Sequence, residues 1–229
     1  ISHENLRPRD AKWLGEAEGW FQRQAGVQAN DGVRHPMFVP FKLREMELKN
    51  RIVVSPMAQY KAVDGCPTDW HLVHYAERAK GGAAMVYTEM TCVSADGRIT
   101  PGCPGLYDDA HEQAWKRIVD FVHNETDAKL CMQIGHSGRK GSTQLGWEEM
   151  DAPLADGNWK LLSASAIAWS DRNQTPRAMT RDDMDTVRDQ FVAGAKMADR
   201  AGFDMIEVHA AHGYLLSSFI SPVSNVRDD

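Results

Sequence analysis

An apolar segment followed by a helix-like segment recurs along this 229-residue chain. Four apolar segments, residues 52–55, 83–88, 129–134 and 203–208, have the length and composition of buried strands. They are almost continuously apolar, as strands are when a parallel sheet is covered on both faces. Helices that join parallel strands make right-handed crossovers. The sequence therefore predicts an α/β fold, open or closed into a barrel, with functional groups at the carboxyl ends of the strands.

Helix signals separate the predicted strands. The first helix spans residues 70–79 and ends before Gly81. The second presents one buried face at the i, i+3, i+4, i+7 spacing, formed by Trp115, Ile118, Val119 and Val122. A third helix begins at Thr180, where Asp183 has the spacing of a capping box. Residues 135–176 form a loop of a length that is typical of lids and binding loops.

Composition excludes several classes of partner. The formal net charge is −6, whereas nucleic-acid-binding domains present a clustered basic face, so DNA and RNA are not expected partners. No apolar run approaches the roughly 20 residues that span a bilayer, and the first residues do not resemble a signal peptide. A cytoplasmic location without a membrane partner is therefore predicted. The four cysteines include no Cys-x-x-Cys pair and are expected to be free thiols, with Cys131 in the core.

Residues 1–36 are predicted to be an N-terminal arm or linker. Glycines and Pro8 interrupt a largely polar segment, which has room for one short helix containing Trp13, Trp20 and Phe21. The alternative is a strap that lies over the back of the following domain. That domain is predicted to cover residues 37–229.

The fourth predicted strand ends in three candidate catalytic side chains, His209, His212 and Tyr214. Imidazoles can donate hydrogen bonds to a carbonyl oxygen and a phenol can deliver a proton, so the trio suits the stabilisation and protonation of an enolate. Two alternatives stay open. The histidines can be structural, or they can bind zinc with Glu89 or His136 as a third ligand. The usual glycine-rich nucleotide motifs are absent, which weakens a Rossmann interpretation.

Four motifs in order give the chain a resemblance to a known family. They are Ser55-Pro56-Met57, Gln133 with residues 135–140, residues 175–180, and residues 209–215. Together they resemble the Old Yellow Enzyme family from about residue 37 to the end of the chain. The resemblance implies a TIM (β/α)8 barrel that holds FMN and uses NAD(P)H to reduce activated carbon–carbon double bonds, and this chain would contain the first four β/α units.

The resemblance also implies roles for individual residues. The flavin would be contacted by Ser55, Pro56, Met57, Ala58 and Met90, with Gln133 at the pyrimidine edge of its ring. An amide suits that edge because it offers both a donor and an acceptor. The substrate's carbonyl oxygen would be held by His209 and His212, the proton would come from Tyr214, and Tyr60 would line the substrate pocket. No metal is implied.

Two positions depart from the family pattern. Ala58 stands where one branch of the family has cysteine and another has threonine, so tuning of the flavin by a thiol or hydroxyl is lost there. Met90 is bulkier than the small residue that is common at its position. The larger Met90 side chain is expected to change the contacts of the flavin and the substrate range.

Four β/α units make half of an eightfold barrel. Residues 225–229 resemble the start of a family segment that continues further, so residues 37–229 are predicted to be the N-terminal half of an FMN-binding barrel that alone binds FMN poorly or not at all. The arm and the absent initiator methionine resemble the junction in fused monooxygenase/reductases of the 2-aminobenzoyl-CoA or salicyloyl-CoA type. A homo-oligomer or a larger fused polypeptide is therefore expected.

The predicted substrate is a small enone or an acyl-CoA. Two other functions stay open, namely a catalytically silent half-barrel that serves as a docking domain, and a metal-dependent lyase on the same fold. Arg139 and Lys140 are predicted to lie in a solvated loop, in preference to a site for an anionic substrate.

Overall fold

The structure is a computed structural model that describes residues 3–27 and 35–229. In chain order its elements are α1 His3–Leu6, α2 Ala11–Gln24, β1 Phe41–Leu43, β2 Met46–Leu48, β3 Val53–Val54, α3 Asp69–Lys80, β4 Met85–Tyr87, β5 Thr91–Cys92, α4 Asp109–Glu125, β6 Lys129–Gly135, β7 Leu162–Ser163, β8 Arg177–Ala178, α5 Arg181–Ala201, β9 Met205–Val208 and α6 Leu215–Ile220. The four predicted strands and three predicted helices are all present within these bounds.

A parallel sheet of five strands forms the centre of this described part. Neighbouring strands follow the order β3, β4, β6, β9, and β5 pairs with β6 on the edge that β4 also uses. Every pairing in the sheet is parallel, as predicted. Strand β5 was not predicted, because the chain leaves the sheet after Tyr87 and returns for only two residues.

The sheet has two chemically different faces. On the outer face, Val86, Leu130, Met132, Ile134 and Ile206 pack against the helices in one hydrophobic core. That core contains the predicted face of α4, formed by Trp115, Ile118, Val119 and Val122. Side chains alternate along a strand, so the residues between these point to the inner face: Tyr87, Cys131, Gln133 and Glu207. Cys131 is fully buried, as predicted, and the four cysteines are free thiols.

Local capping signals fix the ends of the long helices. The Thr180 side chain accepts from the backbone of Asp183, and the Asp183 carboxylate accepts from the Thr180 backbone, which is the predicted capping box. Gly202 ends α5 at φ +94, a left-handed conformation that suits glycine. The start of α3 has a second box, in which the His71 ring accepts from Thr68 N. The two boxes set where α5 and α3 begin, and Gly202 sets where α5 ends before β9.

The N-terminal segment contains a helix, as predicted, but a longer one of 14 residues. Arg51, which precedes β3, stacks on Phe21 of this helix at 5.0 Å. Trp20 lines a cavity together with Lys129 and Asp204. Lys129 is the first residue of β6, and Asp204 directly precedes β9. The helix α2 therefore lies at the end of the sheet opposite the strands' carboxyl ends. The predicted division at residue 37 stays a prediction.

The long loop is partly ordered by regular structure. A 3-10 turn spans Gly138–Lys140, and β7 pairs with β8 in a small parallel sheet. A hairpin of β1 and β2 precedes the central sheet, and its Leu48 packs on Met85 and Cys131 of the inner face. Within residues 3–27 and 35–229, no helix combines the length and the apolar character needed to cross a membrane.

Candidate active site

The three candidate catalytic residues after β9 form one cluster. His209 Nε2 lies 3.2 Å from His212 Nδ1. The Tyr214 ring is centred 4.9 Å from the ring of His209 and 6.2 Å from that of His212. His209 is buried, whereas His212 is exposed at the carboxyl end of the sheet. The structure thus brings the predicted trio together at an accessible position.

The backbone after β9 is shaped to expose these side chains. His212 and Gly213 both have left-handed conformations, with φ +58 and +74. A left-handed histidine is uncommon, and such residues are concentrated at functional sites. A Cβ at position 213 would lie 3.0 Å from the Trp169 ring. Glycine at position 213 therefore lets the turn approach the long loop.

Hydrogen bonds determine which nitrogen of each imidazole carries the proton. The Ala211 N–H donates to His209 Nδ1 at 3.2 Å, so a neutral His209 ring carries its proton on Nε2 and donates it to His212 Nδ1. Burial, followed by the proximity of His212, lowers the pKa of His209 and favours this neutral ring. The Nε2–H of His212 then faces no acceptor among the described residues.

Tyr214 sits in a mostly apolar pocket. Its ring packs with Tyr60 against a buried cluster of Met90, Cys92, Ile99 and Cys103. Burial is the main reason why the pKa of Tyr214 lies well above its usual range, and burial likewise raises the pKa of Tyr60 to about 12. The phenol of Tyr214 is therefore protonated throughout the neutral range.

Gln133 lies on the same face of the sheet as His209. It is opposite Glu207 on β9, and its Nε2 donates to Glu207 Oε1 at 2.5 Å. His209 comes two residues after Glu207, and side chains two apart on a strand share a face. The Gln133 amide on β6 and the imidazole pair thus line one inner surface, and no described residue bonds to the amide oxygen of Gln133.

The segment after β3 reaches this surface through its last residues. Tyr60, at φ +52, joins the cluster around Tyr214, and the Gln59 N–H donates to Glu89 Oε2 at 2.8 Å. The preceding residues lie at the same end of the sheet and are more open to solvent: Ser55, Pro56, Met57 and Ala58. Among the described residues, none of those four makes a hydrogen bond to His209 or His212.

Met90 links the strand ends by packing. A Cβ placed on Gly135 would meet Met90 Sδ and Cγ at 2.7 Å and His209 Cβ at 3.3 Å. Met90 therefore fills the space that a side chain at position 135 would need. The bulky residue noted in the sequence is accommodated by a glycine on the neighbouring strand.

The sequence did not reveal the pairing of His71 with Glu89. Both side chains are buried, and His71 Nε2 lies 3.0 Å from Glu89 Oε1. The Thr68 N–H donates to His71 Nδ1, so a neutral ring carries its proton on Nε2, which is close to Glu89 but makes no hydrogen bond to it. A carboxylate directly after an apolar strand was a visible signal, but its partner lies on a different element of the fold.

The interpretation of Arg139 as part of a solvated loop was wrong. Arg139 is only 7% exposed and donates to the backbone oxygens of Ile167 and Ala168. The Lys140 ammonium lies 4.1 Å from the centre of the Trp169 ring and 5.4 Å from that of Tyr214. The aromatic rings of the long loop and of Tyr214 hold these cations beside the site.

The zinc alternative required a third ligand near the histidine pair. Over residues 3–27 and 35–229, no group of three His, Cys, Asp or Glu side chains is arranged to bind a metal ion. Glu89 is bonded to Gln59, and His136 Nδ1 accepts from Gly138 N. Burial lowers the pKa of His136 to about 4, so its ring is neutral in the neutral pH range.

Comparison with known proteins identifies the family. The profile of the NADH:flavin oxidoreductase / NADH oxidase family matches residues 36–229. The chain belongs to this family. It is 41% identical over 210 residues to an NADH:flavin oxidoreductase of Gibberella zeae, covering 90% of this chain and 50% of that protein. It is 38% identical over 195 residues to an NADPH dehydrogenase of Geobacillus sp., covering 84% and 53%.

Solved structures give the same result. The fold matches Old Yellow Enzyme from Pichia sp. AKU4542 with a TM-score of 0.74 and 31% identity, covering 85% of this chain and 50% of that one. It matches morphinone reductase with a TM-score of 0.72 and 28% identity, covering 84% and 52%. The predicted Old Yellow Enzyme resemblance and the α/β TIM-barrel fold are confirmed. The chain spans about half the length of the curated relatives it matches.

Family membership implies FMN as cofactor and NAD(P)H as reductant, as predicted. The described residues fit a flat ring with a polar edge. Met57 exposes 40% of its surface next to Ser55, and Gln133 offers an amide oxygen that no described residue engages. An exposed apolar side chain and a free amide oxygen are the two kinds of contact that an isoalloxazine needs.

Proposed function

We propose that this chain contributes the catalytic end of an FMN-dependent oxidoreductase that uses NAD(P)H to reduce an activated carbon–carbon double bond. The substrate would be an α,β-unsaturated carbonyl compound or an acyl-CoA. The observation that carries the proposal is the convergence of a protonated phenol and two imidazoles on the sheet face that also holds Gln133. An electron-poor double bond needs a hydride at one carbon, charge stabilisation at the carbonyl oxygen, and a proton at the other carbon.

The cofactor would be held by residues that follow β3, by one residue that follows β4, and by one residue within β6. Ser55, Pro56, Met57 and Ala58 would line one side of the ring, Met90 would support it, and Gln133 would bond its pyrimidine edge. FMN supplies the hydride when it is bound. The inner face supplies a fixed position for the ring, because Gln133 is held by Glu207 and Met90 is held against Gly135.

The imidazoles would bind the carbonyl oxygen of the substrate. His212 Nε2–H is ready to donate, and His209 Nε2–H becomes a second donor when it turns from His212 Nδ1 to the substrate. Both would hold the oxygen while negative charge develops on it. Loss of one such donor costs about 3 kcal/mol of transition-state stabilisation.

Tyr214 would donate the proton to the α-carbon. Its environment keeps the hydroxyl protonated, and its ring is fixed by His209 and by the cluster that contains Tyr60 and Met90. The developing enolate is a strong enough base to take a proton from a phenol of high pKa when the two are in contact. Tyr60 would close the side of the substrate pocket.

Turnover of the holoenzyme tests this function. We expect NADPH oxidation under nitrogen to depend on a cyclic enone and to yield the saturated ketone. His212→Ala is expected to lower kcat/KM for the enone by about 100- to 1000-fold. His123→Ala is the matched control, because that histidine lies on α4 and pairs with Asp204. Absence of enone-dependent oxidation in the wild-type holoenzyme would disprove the proposal.

Measurements on the same holoenzyme distinguish the two alternative functions, a metal-dependent lyase and a silent docking domain, from the proposed one. A metal-dependent lyase would be inhibited by chelators and would need no flavin. A silent docking domain would show no spectral change when NADPH is added to the FMN-loaded protein.

Fusion to a monooxygenase, the oligomeric state and the cytoplasmic location stay predictions.

A further inference from the structure

Two exposed tryptophans flank one lysine beside the proposed active site. Trp70 exposes 54% of its surface and Trp147 exposes 56%. The Lys61 ammonium lies 5.6 Å from the centre of the Trp70 ring and 4.2 Å from that of Trp147. Because one ammonium is close to both rings, the two indoles border the same small volume. We name Lys61, Trp70 and Trp147 the tryptophan rim.

The tryptophan rim is attached to the site. Trp70 Nε1 donates to Gln59 Oε1 at 2.9 Å, and Trp147 packs edge-on to Tyr60 with ring centres 6.4 Å apart. Tyr60 in turn packs in the cluster that holds Tyr214. Tyr60 therefore lies between the tryptophan rim and Tyr214, at the side of the pocket in which the substrate would react.

The charge on the tryptophan rim is not neutralised by an ion pair. In the part of the chain that the structure describes, no carboxylate oxygen lies within 4.0 Å of Lys61 Nζ. The two carboxylates nearest to Trp147 in sequence are engaged, since Glu148 accepts from Leu145 N and Glu149 binds Arg172. An unpaired ammonium in a chain of net charge −6 is a local site for an anion.

We propose that the tryptophan rim binds an adenine nucleotide. Exposed indole faces stack with nucleobases whatever their sequence, and a lysine ammonium is a point-charge partner for phosphate. The base would stack on the indole of Trp147, which the Lys61 ammonium approaches more closely than that of Trp70, and the phosphate would bind this ammonium. This inference rests on the proposed function, because the nucleotide belongs either to the NAD(P)H reductant or to an acyl-CoA substrate.

Calorimetric titration of the holoenzyme with AMP, adenosine and inorganic phosphate tests the binding. We expect AMP to bind more tightly than adenosine or phosphate. Trp147→Ala is expected to weaken AMP binding at least tenfold, and Lys61→Gln is expected to abolish the preference for AMP over adenosine. Trp13→Ala is the matched control, because Trp13 is 54% exposed on the distant helix α2. Equal binding of AMP to the Trp147→Ala variant and the wild type would overturn the inference.

Steady-state kinetics then identify the source of the nucleotide. A higher KM for NADPH in Trp147→Ala, with no change for the truncated reductant NMNH, assigns the rim to the reductant. A higher KM for an unsaturated acyl-CoA, with no change for the same acyl group on pantetheine, assigns it to the substrate. If neither KM changes, the inference fails even though enone reduction continues. If AMP binds at the rim and no NADPH-dependent reduction occurs, the proposed function fails and the nucleotide site stands.

Discussion

The two faces of the central sheet differ in what holds their side chains in place. The outer face is apolar, and its residues pack with Trp115 and its neighbours on the helices. The inner face is polar at its carboxyl end, where Gln133 bonds Glu207 and His209 bonds His212. Packing fixes the first face through many weak contacts, whereas the second depends on a few specific pairs. Substitutions should therefore affect stability on one face and chemistry on the other.

The largest effect is expected on the inner face, at Tyr214. Tyr214→Phe removes the proposed proton donor and should slow the protonation of the reduced substrate by about 100- to 10,000-fold. Stability should change little, because the described residues make no hydrogen bond to this hydroxyl. Stopped-flow reoxidation of the reduced enzyme by an enone measures the first quantity, and urea unfolding measures the second.

Flavin reduction by NADPH supplies the internal control for this variant, since it needs no proton from Tyr214 and should keep its rate. Tyr107→Phe is a matched substitution of another half-buried tyrosine whose pKa is raised by burial. A Tyr214→Phe enzyme that reduced the enone at the wild-type rate would show that the proton comes from another group.

The next largest effect is expected on the outer face, at Trp115. The side chain is fully buried, and its Nε1 donates to the Gly105 oxygen at 3.0 Å. Trp115→Ala removes this bond and leaves a cavity, at a cost of about 3–5 kcal/mol of unfolding free energy. Urea denaturation measures the change, and Trp13→Ala on α2 should stay within about 0.5 kcal/mol. Equal losses in the two variants would contradict the difference between buried and exposed aromatic residues.

The two faces also differ in how well the sequence predicted them. The outer face and the helix limits follow from local patterns, such as the spacing from Trp115 to Val122 and the pairing of Thr180 with Asp183. Of the inner face, the trio after β9 was predictable because its members are close in sequence. The partners of Glu89 and Arg139 were not, because each contact joins segments that only the folded chain brings together.

A pH effect of intermediate size is expected from His136. Burial lowers its pKa to about 4, with Asp96 acting in the opposite direction. The unfolded chain binds a proton near the ordinary value of 6.5 while the folded ring stays neutral, so stability present above pH 6.5 is lost as the pH falls towards 4. At about 1.36 kcal/mol for each pKa unit, the loss is about 3 kcal/mol.

His136→Asn should make stability less dependent on pH over this range. Asparagine retains an acceptor for the Gly138 N–H that His136 Nδ1 now accepts, and it does not titrate. Some dependence should remain, because burial also lowers the pKa of His74 to about 4. Urea midpoints at pH 7 and pH 4.5 measure the change, and an unaltered difference between them would argue against a neutral buried His136.

The smallest effect is expected at Glu89, the buried carboxylate that follows β4. One oxygen accepts from the Gln59 N–H, and the other lies 3.0 Å from His71 Nε2 without a hydrogen bond to it. Glu89→Gln leaves only one acceptor for these two N–H groups, so either orientation of the amide places one donor against another. An unpaired buried donor costs about 1–3 kcal/mol. Glu77→Gln, on the exposed side of α3, is the matched control.

The position of the unpaired donor decides what Glu89→Gln does to the site. If the amide oxygen turns to His71, the Gln59 N–H loses its partner and the segment that ends at Tyr60 is released from β4. Hydrogen exchange of the Gln59 amide should then accelerate at least tenfold, with a parallel loss of FMN affinity. If exchange at Gln59 is unchanged while stability falls, the loss lies at His71, and the carboxylate anchors α3 and not the segment after β3. Either result shows which of the two contacts requires the charge.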